Sequence, residues 1–138
     1  MTKKSLHNTP VNVKIRLAAL WTSVMFCYVY GDYFELYAPD KVNELISGNG
    51  ILDSPMKLLA ASIVMAIPAS MIAMTVLLKA RISRMLNIIF GIIFTLMMLL
   101  IAFSSMVQWY EFYVFLAFTE SILTAMIVII AWQWPKEL

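Results

Sequence analysis

Four apolar segments, each long enough to cross a lipid bilayer, take up most of this 138-residue chain. They cover about residues 15–37, 56–78, 85–103 and 112–132. A transmembrane helix needs about 20 mostly apolar residues, because the hydrocarbon core is about 30 Å thick. Apolar and aromatic residues make up 62% of the sequence, which is more than one small soluble core can bury. The sequence therefore predicts an all-α integral membrane protein that forms a single transmembrane domain over residues 1–138.

The basic residues are divided unevenly between the two ends of these segments. Lys41 and Lys57 lie on one side. The other eight lie before or at the start of the first segment, between the second and the third, or after the fourth: Lys3, Lys4, Lys14, Arg16, Lys79, Arg81, Arg84 and Lys136. Cytoplasmic loops carry the excess of Lys and Arg, so we expect both termini in the cytoplasm. Short connections then predict an up-down-up-down four-helix bundle in a cell membrane.

The first external loop is long enough to hold a helix of its own. In its stretch DKVNELIS (40–47), three apolar residues recur on one helical face: Val42, Leu45 and Ile46. Asp40 suits the start of a helix and Gly48 its end. We expect a short amphipathic helix that lies on the outer surface or caps the bundle. Ser54 and Pro55 then resemble an N-cap followed by proline at the first position of the second long helix.

Two acidic residues stand near the end of the first segment, in the stretch VYGDYFELYAPDK. Trp21, Tyr28, Asp32 and Glu35 are separated by seven, four and three residues. This spacing places them close to one helical face. Tyr28 lies one turn deeper than Asp32 and could donate its hydroxyl to a carboxylate. The two acids are either solvated charges at the interface or part of a site inside the bundle.

Glu120 lies well inside the fourth segment. At 1.5 Å rise per residue it is about 13 Å from the outer end of its helix. An acid at the helix centre costs about 2.5–3.5 kcal/mol on insertion scales, so we expect it to face the interior. Small and polar side chains share its stripe: Tyr113, Ala117, Glu120, Thr124 and Ile127. Its carboxyl group is either structural, bonded to a Ser, Thr or Tyr hydroxyl, or functional.

The second and third segments carry further interior polar features. Pro68, in MAIPASM, removes one helical hydrogen bond and frees the carbonyl of Val64, which indicates a packing kink or a ligand contact near mid-membrane. A stripe of small residues on the same helix should allow close helix approach: Ser62, Ala66, Ser70 and Ala73. Asn87 is expected to hydrogen-bond to the turn KARISR.

The sequence offers little that indicates catalysis, metal binding or nucleic-acid binding. The single Cys27 lies in an apolar run, as expected of an inert packing thiol. His7 is alone, and there is no Gly-rich phosphate loop and no GxSxG motif. The net charge of +2 gives no reason to expect a nucleic-acid surface. We expect no metal and no cofactor, and the lack of catalytic motifs favours a role other than that of an enzyme.

Four stretches resemble a group of small, uncharacterised bacterial membrane proteins placed near the DoxX-like proteins. They are LWTSVMFCYVYGDYFELYAPD, MAIPASM, RISRMLNIIFGII and IIAWQWPKE. The resemblance covers most of the chain and implies the four-helix topology. It implies no activity.

The favoured hypothesis is an outward-facing acidic and aromatic site within the membrane, for a small cationic ligand, an ion or a proton that is bound or transported. Carboxylates beside aromatic faces suit a cation. The predicted site residues are Asp32, Glu120, Tyr28, Trp21, Glu35, Tyr33, Thr124 and Pro68. Beyond the lipid bilayer, the expected partner under this hypothesis is a second copy in a homodimer. The alternatives are an accessory or scaffold subunit of a larger membrane complex, and a membrane enzyme that uses two carboxyl groups on a lipid-like substrate.

Overall fold

The computed structural model describes residues 6–136, and the regular structure of this part is entirely helical. It has five helices: α1 (Val13–Glu35), α2 (Lys41–Ser47), α3 (Pro55–Leu77), α4 (Ala80–Ser104) and α5 (Glu111–Trp132). By length and composition, α1, α3, α4 and α5 can each cross a membrane, which confirms the predicted all-α class and the four helices of membrane-spanning length. Lys3 and Lys4, which contribute to the predicted charge bias, lie outside the described residues.

Helix α4 begins more than one turn before the predicted start of the third span. α4 begins at Ala80 rather than near residue 85, so most of the predicted connection KARISR is helical. Hydropathy finds the part of a helix that lies in hydrocarbon, whereas the helix itself continues outward through residues that lack Gly and Pro. As a consequence, Arg81 and Arg84 lie in the first turns of α4 instead of in a loop.

The short helix α2 forms where the sequence predicts it. Gly48 ends it in the left-handed conformation, with φ 70°, which glycine adopts at little cost. Asp40 precedes it with φ 63°, and its side chain makes no capping hydrogen bond. No residue of α2 is buried, so the helix does not cap the interior and exposes its apolar residues Val42, Leu45 and Ile46. Of the two predicted positions, the structure favours one on the surface.

The start of α3 also agrees with the prediction. Pro55 is its first residue, and the Ser54 hydroxyl accepts a hydrogen bond from the backbone N–H of Lys57 at 3.3 Å. The small-residue stripe of α3 does not pack within the chain, because all four of its members are exposed: Ser62, Ala66, Ser70 and Ala73. The prediction that this stripe brings helices together is therefore wrong for contacts inside one chain.

The four long helices contact one another in a ring, in which α1 and α4 each pack against both α3 and α5. Their shared interior contains Trp21 from α1, Met71 from α3, Phe94 from α4 and Ile127 from α5, each at most 1% exposed. The rings of Trp21 and Phe94 meet edge to face, with centroids 6.1 Å apart. Most other large apolar side chains of the long helices face outward, as a lipid environment requires.

Two basic side chains join the helices at one end of this ring. The ammonium of Lys14 donates to the backbone carbonyls of Val76 at 3.1 Å and Leu78 at 2.6 Å. Arg84 donates to the carbonyls of Ala131 and Trp132 at 3.1 and 3.2 Å. Carbonyls in the last turn of a helix have no partner within it, and cations near them are favourable. We call this end, where α1 and α4 begin and α3 and α5 finish, the basic end, and the opposite one the acidic end.

Candidate functional site

A cavity of about 130 Å³ lies between the four long helices, in the half of the ring toward the acidic end. All four helices line it, through Cys27, Tyr28, Gly31, Asp32, Met65, Met97, Met98, Ile101, Tyr113, Leu116, Ala117 and Glu120. The wall is mostly apolar, and its polar groups are two carboxyls, two phenol hydroxyls and one thiol.

The structure brings three of the predicted site residues to this cavity: Tyr28, Asp32 and Glu120. Asp32 is exposed, whereas Glu120 is only 4% exposed. Glu120 is nine residues into α5, or about 13 Å from its start. The cavity therefore has an exposed carboxylate at its rim and a buried one deeper between the helices.

Among residues 6–136, one fully buried polar atom at the cavity has no hydrogen-bond partner. The Tyr28 hydroxyl is completely enclosed and makes no hydrogen bond there. The Ser and Thr hydroxyls next to Glu120 on α5 are used elsewhere, since Thr124 donates to the backbone carbonyl of Glu120 at 2.9 Å and Ser121 to that of Ala117 at 2.8 Å. A buried polar group without a partner costs about 1–3 kcal/mol. Within residues 6–136 the structure shows no hydrogen bond from a Ser, Thr or Tyr hydroxyl to the Glu120 carboxyl, which was one of its two predicted roles.

The volume restricts what the cavity can hold. At about 30 Å³ for each water molecule, 130 Å³ accommodates about four waters or an ion with part of its hydration shell. Pockets for drug-sized ligands are larger, about 300–1,000 Å³. Three methionines line the cavity, Met65, Met97 and Met98, and these flexible side chains can adapt to a small occupant.

Trp21, predicted as an aromatic wall of the site, lies toward the basic end instead. Its indole N–H donates to the Asn87 side-chain oxygen at 2.8 Å. The Asn87 amide in turn donates to the Thr75 hydroxyl at 3.0 Å and the Ser83 carbonyl at 2.8 Å, while the Ser83 hydroxyl donates to the Thr75 carbonyl at 3.0 Å. We call these four residues the asparagine network. The bond from Asn87 to Ser83 confirms the predicted contact with the KARISR turn.

Glu35 and Tyr33, also predicted site residues, do not line the cavity. The Glu35 carboxylate forms an ion pair with Lys41 at 2.7 Å and accepts a hydrogen bond from the Tyr110 hydroxyl at 3.2 Å. The hydrogen bond to Glu35 raises the pKa of Lys41. Tyr33 is exposed and shares a 3.0 Å hydrogen bond with Tyr37. Glu35 thus connects the end of α1 to α2 and to the residue that precedes α5.

Thr124 and Pro68 are buried, but neither lines the cavity. Thr124 lies one turn below Glu120, and its hydroxyl accepts a hydrogen bond from the Thr95 hydroxyl at 2.7 Å, which joins α5 to α4. Pro68 lies within an uninterrupted α3, and it is Met65, one turn earlier, that reaches the cavity. The carbonyl of Val64, which proline leaves without its helical partner, is not part of the cavity wall.

Tyr113, Gly31 and Cys27 line the cavity although the sequence analysis did not assign them to the site. Tyr113 shares the helical stripe of Ala117 and Glu120, and this stripe is the signal in the sequence that places it at the site. Gly31 precedes Asp32 directly. A Cβ atom on Gly31 would lie 3.5 Å from Leu116 Cδ1, an ordinary contact.

Within residues 6–136 there is no group of three or more His, Cys, Asp or Glu side chains placed to hold a metal ion. Several acids near the acidic end are already paired with lysines. Asp53 forms an ion pair with Lys57 at 2.7 Å, and Lys41 approaches Glu44 to 3.9 Å as well as pairing with Glu35. The carboxyl groups of Asp32 and Glu120, by contrast, form no ion pair with a described residue.

Comparison with known proteins gives a family but no activity. The model of a family described only as of unknown function, DUF6326, matches residues 6–138. No curated protein and no solved structure matches the chain. Any statement about function must therefore rest on the cavity and its residues.

Proposed function

The chain belongs to the DUF6326 family of unknown function, and we propose that it is a small polytopic membrane protein that binds or transports a small cation at the acidic cavity. The prediction of an uncharacterised family is confirmed. The relation to the DoxX-like group rests on the hydrophobic stretches quoted above and stays a prediction.

The proposed arrangement is an up-down-up-down bundle in the bacterial inner membrane, with both termini cytoplasmic and the acidic cavity facing outward. Two observations support it. Lys14 and Arg84 join helix starts to helix ends at the basic end, as alternating helix directions require. The described Lys and Arg residues other than Lys41 and Lys57 also belong to that end by their place in the sequence, which is the expected cytoplasmic bias.

The observation that carries the proposal is the pairing of two carboxyl groups with an unsatisfied hydroxyl in one cavity. Asp32, Glu120 and Tyr28 share its wall, and the Tyr28 hydroxyl has no partner in the described chain. Ionisable groups inside a membrane segment are costly and tend to mark ion or proton pathways. A bound cation would offset this cost by satisfying the carboxylates and the phenol oxygen together.

The chemistry favours a small monovalent cation or a proton. Two carboxyls and two phenols give few oxygen ligands, whereas Ca²⁺ takes six to eight. The rings of Tyr28 and Tyr113 border the same space, and aromatic faces attract ammonium-type cations. The exposed Asp32 would attract the cation at the rim, and Glu120 would hold it further in.

A thermal-shift screen on purified protein tests the proposal. Li⁺, Na⁺, K⁺, ammonium and methylammonium are each compared with bulky N-methylglucamine, and a pH series covers the proton. We expect at least one of these conditions to raise the melting temperature of the wild type but not of Glu120→Gln. Glu111→Gln is the matched control, since it removes one exposed carboxylate from the same helix and should respond like the wild type. Equal responses of Glu120→Gln and wild type in every condition would refute the proposal.

We also propose a homodimer or larger membrane complex as the working assembly. The exposed small-residue stripe of α3, Ser62, Ala66, Ser70 and Ala73, supports it, because small residues let membrane helices approach closely. Cross-linking of single-cysteine variants along this stripe in lipid, in a background in which Cys27 is replaced by Ser, tests the assembly. A dimer through α3 predicts cross-links at these positions and none on the outward face of α5.

A further inference from the structure

A second and larger cavity, of about 730 Å³, is open at the basic end between the first turns of α4 and the segment that follows α5. We propose that it binds an anionic phospholipid, with the phosphate at its basic rim and an acyl chain along α4. This inference is independent of the cation site, because the two cavities share no lining residue.

One wall of this cavity is a single face of α4. Arg81, Arg84, Met85, Ile88 and Ile89 all line it, and their spacing of three and four residues repeats at the helical period. From Arg81 to Ile89 this face is about 12 Å long. Cations occupy its beginning and apolar side chains the rest. A phospholipid matches this order, because its negative phosphate is followed by a hydrocarbon chain.

The opposite wall is the segment after α5. Lys136 adds a third cation at the rim, and Trp134, half-buried against the helices, stands beside it. Tryptophan is enriched at the level of the lipid headgroups. No acidic residue among residues 6–136 lines the cavity, so its described charges are three positive ones. Basic pockets between transmembrane helices suit anionic headgroups.

Arg84 is held in place before any ligand arrives. Its Nε and Nη2 atoms donate to the carbonyls of Ala131 and Trp132, which uses two of the five N–H groups of a guanidinium. Three N–H groups remain for a phosphate oxygen. A fixed side chain loses little conformational freedom on binding, and Arg81 lies one turn away to make the second contact.

The apolar wall distinguishes a lipid from a free phosphate. Met85 and Ile89 are 54% and 44% exposed and continue the cavity along the membrane-facing surface of α4. Inorganic phosphate would use only the cations at the rim, whereas a phospholipid in the same leaflet uses both parts of the cavity without leaving the bilayer.

Native mass spectrometry of the detergent-solubilised protein tests this proposal, with phosphatidylglycerol, phosphatidylcholine and inorganic phosphate titrated separately. We expect one tightly retained phosphatidylglycerol, weaker phosphatidylcholine, and no effect of phosphate at equal concentration. The double variant Arg81→Gln with Lys136→Gln should bind phosphatidylglycerol about 30-fold more weakly, at about 1 kcal/mol for each basic residue. The charge-conserving pair R81K with K136R should retain binding, which shows that the positions tolerate substitution.

The matched control is Arg16→Gln with Lys79→Gln. It removes two positive charges from the same end, but neither residue lines the cavity, so its affinity should stay within about twofold of wild type. Three results would overturn the proposal: equal binding of the two lipids, competition by phosphate at equal concentration, or an equal loss of affinity in the control. The last would indicate attraction by the general charge of the surface.

Discussion

The two halves of the molecule treat their interior polar groups in opposite ways. Toward the basic end, Asn87 links Trp21, Thr75 and Ser83, and its side-chain oxygen and nitrogen both have partners. Toward the acidic end, the hydroxyl of Tyr28 has no partner in the described chain, and the carboxyl of Glu120 lines a cavity instead of a packed contact. Asn87 is therefore satisfied within the described chain, whereas the Tyr28 hydroxyl is not.

This contrast distinguishes polar groups that stabilise the fold from polar groups that a bound ligand would satisfy. In a membrane, hydrogen bonds between helices contribute about 0.6 kcal/mol on average and up to about 1.7 kcal/mol, so the asparagine network adds stability where it is complete. Buried polar groups without a hydrogen-bond partner add no such bond and cost free energy. Substitutions in the two halves should therefore have opposite consequences for stability and for ligand binding.

The largest expected effect is that of Asn87→Ala. It leaves the indole N–H of Trp21 and the hydroxyl of Thr75 without their bonds to Asn87 and opens a void, so the free energy of unfolding should fall by about 2–4 kcal/mol. Glu120→Gln is nearly isosteric and should change it by less than about 1 kcal/mol. Unfolding in mixed detergent micelles, followed by tryptophan fluorescence, measures both. Equal losses in the two variants would remove the distinction between the halves.

Glycine substitutions compare the packing of the same two regions. A Cβ atom on Gly91 would lie 2.7 Å from Val128 Cγ2, and a β-branched valine has little freedom to move away. Gly91→Ala should therefore cost about 1–2 kcal/mol of stability, despite the better helix propensity of alanine. Gly31→Ala, at the cavity, makes ordinary contacts and should be neutral or slightly stabilising. If Gly31→Ala lost more stability than Gly91→Ala on unfolding in detergent, the cavity half would be the more closely packed of the two.

Tyr28→Phe removes the unsatisfied hydroxyl and keeps the ring. We expect stability to stay the same or to rise by up to about 1 kcal/mol, because a buried group without a partner is lost. The cation-dependent thermal shift should decrease at the same time. A loss of stability would mean that the hydroxyl has a partner when no ligand is bound.

The smallest effect is expected at the ion pair of Lys41 with Glu35. The pKa of Lys41 is raised in the folded protein by its hydrogen bond to Glu35, with Tyr110 and Glu44 adding to the effect. The stabilisation is therefore fully present below the unfolded-state pKa of about 10.4 and is lost as the pH rises through the higher folded-state value. Its size is at most about 1 kcal/mol, because the pair lies near the surface.

Stability measured from pH 8 to pH 12 checks the effect of this ion pair. Lys41→Gln should lose less stability than wild type over that range, and Lys57→Gln, whose ion pair with Asp53 is more exposed, should follow the wild-type curve. An identical alkaline decline in Lys41→Gln would contradict the assignment.

The sequence could predict those features of the fold and of the site that depend on local residue patterns. Hydropathy located the four spans, and turn residues located α2, because these signals are local. The interior position of Glu120 followed from the cost of an exposed acid in hydrocarbon. The bond between Trp21 and Asn87, by contrast, joins residues 66 positions apart, and the place of Tyr113 in the cavity depends on how α5 is rotated against its neighbours. No local pattern specifies these relations.

Infrared difference spectroscopy on protein reconstituted in lipid tests the cation site most directly. The buffer cation is exchanged from N-methylglucamine to Na⁺, K⁺ or ammonium at constant pH, and the carboxyl bands are recorded. We predict a cation-induced change that is present in wild type and Glu111→Gln and absent in Glu120→Gln. A spectrum that is the same in wild type and Glu120→Gln, or unchanged by every one of these cations, would contradict cation binding at the acidic cavity.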